Sequence, residues 1–267
     1  TVNINSGSNI TIYVNGEEVA VVCVNSTGGF TYDLNTNNCT IGSNNITAIF
    51  EGNDTVFASN TTAILTVNPL PTNVTIEFDE NEVILGEVVK VTGSTINVTN
   101  GSNITIYVNG EEIAVVSVNS TGGFTYELNT TCCTIGSNNI TAKFKGNEIA
   151  LPSNVTATLI VNKMPTSIVI DLNATEVVGG VFVKLNGTTI NITDSSNITI
   201  SINGLDVANV TVNNNKFNYT IDSGNLEGGI NYIIASFKED SIALPSNATA
   251  TLIVNKMPTS IVIDLNA

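Results

Sequence analysis

The sequence predicts an all-β chain of tandem two-sheet sandwiches, each about 93 to 94 residues long, and three observations predict it. Its vocabulary is that of strands and turns: the 267 residues include 41 Asn, 36 Thr and 20 Ser beside abundant Ile and Val. Thr, Ile and Val fit a pleated, half-buried surface, while Asn, Ser and Gly supply the dihedrals and local hydrogen bonds of turns. The same phrases recur at fixed spacing. Ser-Asn-Ile-Thr-Ile-x-x-Asn-Gly starts at Ser8, Ser102 and Ser196, 94 residues apart each time, and the segment 162–174 recurs unchanged at 255–267, 93 residues on. Within each copy apolar and polar residues alternate with period two, and no window has the 3.6-residue period of a helix. With 42% apolar residues and a mean hydropathy of +0.25, the chain has the apolar content a disordered segment lacks.

A unit of this size can bury its own core, whereas a solenoid repeat of roughly 20 to 50 residues cannot. The chain therefore reads as separate beads: 1–67, a repeat lacking its first strands; 68–161 and 162–254, two full repeats; and 255–267, the first strand of a following one. The second copy shows the elements most clearly. Residues 73–78 alternate and read as the first strand, and 87–92 as the second. Residues 103–108 set Ile104, Ile106 and Val108 against Asn103, Thr105 and Tyr107, one face apolar and one wet. Asn109-Gly110 follows, the two-residue signal of a tight hairpin. Residues 113–118 return, 119–123 make a longer turn, and 124–128, 138–144 and 155–161 complete seven strands. The copies meet at 68–72, 162–166 and 255–259, short stretches that each contain Pro. Pro fixes φ and restricts the residue before it, so the joints are expected to be stiff and the array an extended rod.

The phrases at 41–53 (IGSNNITAIFEGN), 135–147 (IGSNNITAKFKGN) and 228–240 (GGINYIIASFKED) resemble the G-x-x-x-I-x-A-x-F/Y-x-G-(D/N) strand of the bacterial Ig-like repeat family. The upstream SNITIYVNGEE and VNSTGGFTY resemble that family's glycine-turn hairpins. The bias to Asn, Ile and Thr without Arg is similar to adhesin-like proteins of methanogenic archaea. The resemblance implies Ig-like sandwiches in tandem, in an exported protein at the cell surface. The third copy departs from it at Glu239-Asp240, where the family has Gly-Asp or Gly-Asn.

Composition excludes several classes of function. The chain carries 23 acidic residues against 8 basic, net −15, and every basic residue is Lys. There is no His, Arg, Trp or Gln. Histidine acid–base catalysis, His-ligated metals and Arg forks for phosphate are ruled out. A net negative chain without a basic patch does not bind nucleic acid by charge neutralisation. No Gly-rich phosphate loop or catalytic constellation is present, so no enzyme activity is expected. No run of 18 apolar residues occurs, so no membrane contact by these residues is expected. The leading expectation is a structural stalk or fibre that gives reach for adhesion. The alternative is a carbohydrate- or protein-binding module acting directly in attachment to a host or partner cell, for which the divergent segment 209–229 of the third copy is the one differentiated stretch.

Candidate sites follow from motifs. Asn-x-Ser/Thr occurs 21 times, better than twice what abundance alone gives. Period-two strands make Asn-Ile-Thr naturally, with Asn and Thr on the wet face, so turn positions are the more telling. The glycosylation candidates are Asn25, Asn119, Asn53, Asn60, Asn100, Asn129, Asn9, Asn103 and Asn197. Four cysteines, Cys23, Cys39, Cys132 and Cys133, form no C-x-x-C pair and so no metal framework. In an exported protein Cys23–Cys39 could bridge, and Cys132–Cys133 could bridge each other or another molecule; buried free thiols are the other reading. Acidic stretches at 17–18, 77–87 and 111–112 lack the spacing of a calcium loop, so no cofactor beyond N-linked glycans is expected. Finally, Thr1 aligns with Thr95 and Thr189. Either these residues are a window on a longer array, or the strand carrying Ile261 and Ile263 enters the open sheet of another copy's first repeat, giving head-to-tail self-association.

Overall fold

The computed structural model describes residues 1–264; the last three residues of the expected donor strand, Leu265 included, lie outside the described residues. The architecture is all-β. The first repeat forms β1 (Asn9–Val14), β2 (Glu17–Cys23), β3 (Gly42–Phe50) and β4 (Ser59–Val67), in one sheet of order β2-β1-β3-β4. The second repeat forms β5 (Asn73–Phe78), β6 (Glu82–Ile84), β7 (Val88–Ile96), β8 (Asn103–Val108), β9 (Glu111–Ser117), β10 (Gly123–Asn129), β11 (Gly136–Phe144) and β12 (Ser153–Asn162). They make a three-stranded sheet, β10-β7-β5, and a five-stranded one, β6-β12-β11-β8-β9. The third repeat repeats this plan with β13 (Ser167–Leu172), β14 (Glu176–Val178), β15 (Phe182–Ile190), β16 (Asn197–Ile202), β17 (Leu205–Thr211), β18 (Lys216–Asp222), β19 (Gly229–Phe237) and β20 (Ser246–Asn255), in sheets β13-β15-β18 and β14-β20-β19-β16-β17.

The chain divides into two compact units, one of residues 1–77, 91–126 and 141–157, the other of 78–90, 127–140 and 158–267. In the first, Ile10, Ile12, Val24 and Phe50 form a small buried cluster, with Ile4, Phe30 and Ile46 half-buried against it. In the second, the third repeat contributes a buried cluster drawn from both of its sheets. Leu185, Val183 and Phe217 from one sheet meet Ile198, Ile200, Ile233 and Leu252 from the other, the layered core of a sandwich.

Each full repeat has eight strands, not the expected seven. The strand missed is β6, and its counterpart β14, three residues that pair in parallel with the last strand of their own repeat: Val83 with Val161, and Val177 with Val254. The second strand runs to Ile96, four residues past the expected 87–92. Its extension contains Gly93, and Gly187 in β15 is the equivalent. A Cβ on Gly187 would lie 2.0 Å from Cζ of Phe217, and one on Gly93 2.1 Å from Cζ of Phe124. At these strand glycines the far end of a phenylalanine ring from the neighbouring strand occupies the space a Cβ would take.

The divergent segment of the third repeat is a shortened hairpin. Asn214 and Asn215 take φ of 49° and 58°, and Asn213 pairs with Lys216, closing a two-residue turn where the second repeat uses 119–123. The change leaves the hydroxyl of Thr189 buried without a partner, whereas Thr95 at the same place donates to Gly122 O.

The first repeat supplies an internal control on strand formation. Residues 29–34 (GFTYDL) nearly match 123–128 (GFTYEL), yet only the latter form a strand. β10 has β7 as ladder partner, and the first repeat has no counterpart of β7 among the described residues. Alternation marks a segment as able to pair; the partner makes it a strand.

Candidate functional sites

The joints are held by hydrogen bonds rather than by proline alone. At 162–166, Asn162 faces backwards: its carbonyl accepts from Leu85 N (2.9 Å) and its Nδ2 donates to Glu82 Oε1 (2.8 Å). The next residue faces forwards. Lys163 Nζ donates to Glu239 Oε2 (2.9 Å) and Asp240 O (2.7 Å). Met164 N donates to Ile242 O and its carbonyl accepts from Leu244 N, both at 2.9 Å. Asn191 Nδ2 donates to Pro165 O (2.9 Å), and Thr166 Oγ1 donates to Leu244 O (2.8 Å) and lies in hydrogen-bonding contact with Ser246 Oγ (2.7 Å). At 68–72 the forward half recurs: Leu70 bridges Ile149 and Leu151, Asn97 Nδ2 donates to Pro71 O (2.8 Å), and Thr72 Oγ1 reaches Leu151 O and Ser153 Oγ. Pro69 stands in place of Lys163 there. The exposed Lys163–Glu239 pair adds little energy; the backbone bonds define the geometry.

The joint latches Asn97 and Asn191 carried no signal in sequence beyond being two of many sequons. The same holds for a buried trio, Asn44, Asn138 and Asn231, each fully or almost fully buried. Asn138 Oδ1 accepts from Thr134 N (2.9 Å), and its Nδ2 donates to Thr134 O (2.7 Å) and Gly136 O (3.0 Å), closing the turn into β11. Asn44 and Asn231 close the same turn, and each also accepts from the hairpin asparagine, Asn15 or Asn203. The signal was present: Asn138 shares alternation with Ile140, Ala142 and Phe144, so period two places it on the buried face.

The glycosylation candidates are all exposed and separate into two groups. Asn9, Asn103 and Asn197 open β1, β8 and β16, and Asn60 lies in β4. Asn100 is in a turn, and Asn129 caps a 3-10 turn by accepting from Thr131 N. Asn25, Asn53 and Asn119 instead fold back on their own sequons. Asn25 Oδ1 accepts from Thr27 N (3.0 Å) and Thr27 Oγ1 (2.8 Å), and Asn53 Oδ1 from Thr55 N (2.9 Å) and Oγ1 (3.0 Å). Asn119 Oδ1 accepts from Thr121 N (3.0 Å) and Oγ1 (2.7 Å).

All four cysteines are free thiols in this structure: Cys23 and Cys132 exposed, Cys39 and Cys133 half-buried. Neither candidate bridge is formed. Burial, and then the charge and hydrogen bond of Cys132, push the Cys133 thiol up from 9.0 to about 12. Because the folded state holds this proton more tightly than the unfolded one, the stability it contributes is fully present below about pH 9 and is lost as pH rises toward 12. Cys133 is therefore expected to react with iodoacetamide at pH 9 far more slowly in the folded chain than after unfolding, read by peptide mass spectrometry. Equal rates would contradict the assignment.

No group of three or more metal-ligating side chains occurs among the described residues, and no helix among them is long and apolar enough to cross a membrane. Ile261 and Ile263 are exposed and outside any strand. The first repeat has a cleft of about 420 Å³ lined by Ile4, Ile10, Phe30 and Phe50. In the third repeat, the strand with the donor's sequence, β13, pairs only with β15, by Ile168 to Thr189 and Ile170 to Gly187.

No family model matches the chain, and no curated protein matches it. Among solved structures, it is similar to a tetra-tandem repeat from the extending region of a large adhesion protein, at 16% identity over 94% of this chain and 67% of that one, with a TM-score of 0.45. It is similar to a structure bearing on the host cell surface retention of a 1.5-MDa bacterial ice-binding adhesin, at 12% identity over 96% and 89%, with a TM-score of 0.34. It is also similar to FdeC, an Escherichia coli adhesin, at 14% identity over 94% and 99%, with a TM-score of 0.31.

Proposed function

We propose that the chain is a structural spacer at the cell surface, a run of Ig-like sandwiches in a stalk or fibre that gives reach for adhesion. The observation that carries this reading is the joint at 162–166. Asn162 is bonded backwards and Lys163 forwards, so a single peptide link separates two sets of anchors. A spacer needs joints that resist bending, and bonds from both sides of one link provide that more firmly than a Gly/Ser linker does. The absence of His and Arg supports the same reading over an enzymatic one. On this proposal the partner is more of the same array, continued or self-associated.

The joint is tested with a pair of spin labels, one on β9 and one on β17, in a cysteine-free background. The expected result is a narrow distance distribution that broadens in the variant Thr166→Ala, Asn191→Gly; the glycine keeps the positive φ of 58° and removes only the latch. A broad distribution in the unaltered joint would contradict the spacer reading.

One observation favours the second reading, a module that itself adheres. On β19, Ile230 and Tyr232 are 60% and 61% exposed where the second repeat has Ser137 and Asn139, and Ile230 pairs with Ile253 beside it. If this face adheres, the third repeat binds a glycan array or cells and Tyr232→Ser abolishes the binding.

A further inference from the structure

We infer that the folded chain selects its own glycosylation sites: Asn25, Asn53 and Asn119 accept N-linked glycan, and Asn97 and Asn191 refuse it although they carry the same motif. The inference rests on the cell-surface reading only for its setting; the selection itself is a property of the fold.

The motif recurs across strands, turns and joints, so its presence alone does not discriminate. What differs is the state of the side-chain amide. Glycosyl transfer needs Nδ2 as nucleophile, and an amide nitrogen is a poor one because its lone pair is delocalised into the carbonyl. At Asn25, Asn53 and Asn119 the carbonyl oxygen Oδ1 accepts from both the backbone N–H and the hydroxyl of the sequon threonine, two residues on. A third donor joins in each case: Gly29 N, Val56 N and Gly123 N, all at 2.9 Å. Three donors on Oδ1 stabilise negative charge there, and so the imidate-like form in which Nδ2 attacks. Among the described residues, Nδ2 of these three donates no hydrogen bond, and all three lie on exposed turns.

The two joint asparagines are the reverse case. Nδ2 of Asn97 is committed to Pro71 O and that of Asn191 to Pro165 O, and both residues are held at a φ of 58°. To react, either must leave its carbonyl and open the joint.

The step balances as follows. A polyprenyl-pyrophosphate-linked oligosaccharide is the donor, presented by a membrane oligosaccharyltransferase. The bond from Nδ2 to sugar C1 forms, the bond from C1 to the pyrophosphate oxygen breaks, polyprenyl pyrophosphate leaves with the electron pair, and one Nδ2 proton passes to a transferase carboxylate. No electrons change owner otherwise.

The test uses the folded 267-residue chain, a purified single-subunit oligosaccharyltransferase and that donor, with site occupancy read by peptide mass spectrometry. Synthetic peptides spanning Asn97 and Asn119 are run beside it. The expected result is modification at Asn25, Asn53 and Asn119 running roughly tenfold or more ahead of Asn97 and Asn191 in the folded chain, with the two peptides modified alike. Three outcomes would overturn the inference: no modification at the three turn sites, equal occupancy at the joint sites, or an Asn97 peptide as inert as Asn97 in the fold. The assay contains no cell, so a protein found elsewhere than the surface would sink the setting while leaving this result standing.

Discussion

Asn138→Ala is expected to destabilise the second repeat by roughly 2 to 4 kcal/mol, more than most surface or strand substitutions. The side chain is fully buried, and its amide satisfies Thr134 N, Thr134 O and Gly136 O at once. Alanine removes all of these bonds and leaves the turn's polar groups to water that reaches them poorly. Asn138→Asp sharpens the argument. The carboxylate can still accept from Thr134 N, but it sets a second anionic oxygen against two carbonyls. Its folded-state pKa must rise, so the variant should be less stable at neutral pH than in mild acid. Denaturant melts of both variants measure this. An Asn138→Ala cost under about 0.5 kcal/mol, the size of an ordinary surface change, would show that the turn does not depend on the amide.

Placing a copy of residues 68–94 ahead of Thr1 is expected to have a comparably large effect, of opposite sign. Thr1 occupies the place of Thr95, so the added segment brings the equivalents of β5, β6 and β7. The first repeat has positions waiting for them. Leu34, Ile46, Leu65 and Val67 are half-buried where their counterparts Leu128, Ile140, Leu159 and Val161 are fully buried. Completing that burial is worth on the order of 3 kcal/mol or more, the scale of sinking two large apolar side chains. Hydrogen exchange gives the direct readout: the amides of 30–34 should become protected as they gain a ladder. The same extension with Asp at its equivalents of Val89 and Val91 should fail. If 30–34 stay unprotected behind the intact extension, the internal-control argument is wrong.

How much was legible in the sequence depended on the range over which each feature is decided. The hairpin β8–β9 was read correctly because Asn109-Gly110 and the alternation around it lie within a few residues, and Asn109 does take the positive φ of 50° such a turn needs. The strands β6 and β14 were missed because three residues carry no measurable period and are defined by a parallel partner about 80 residues away. The second strand was read only over 87–92, and it continues through Gly93 because the ring of Phe124 occupies the space a side chain there would need. Residues 30–34 show the converse, a legible strand pattern without a strand. The joints were read as stiff from Pro-containing composition, yet the bonds that hold them run from Thr72 to Leu151 and from Thr166 to Leu244, beyond any local window. Of the four sequons read as turn or loop sites, Asn25, Asn53 and Asn119 lie outside strands, whereas Asn60 lies in β4, where pairing with β3 decides the matter; the asparagines that close buried turns and latch the joints were not separated from the rest.

The most direct test of the spacer account is small-angle scattering from the 267-residue chain in dilute solution. The account predicts a particle longer than it is wide, with a radius of gyration well above the roughly 18 Å of a single compact globule of this length. It also predicts that Thr166→Ala with Asn191→Gly shortens the largest dimension by letting the joint bend. A radius of gyration at the globular value, unchanged by the joint variant, would contradict it.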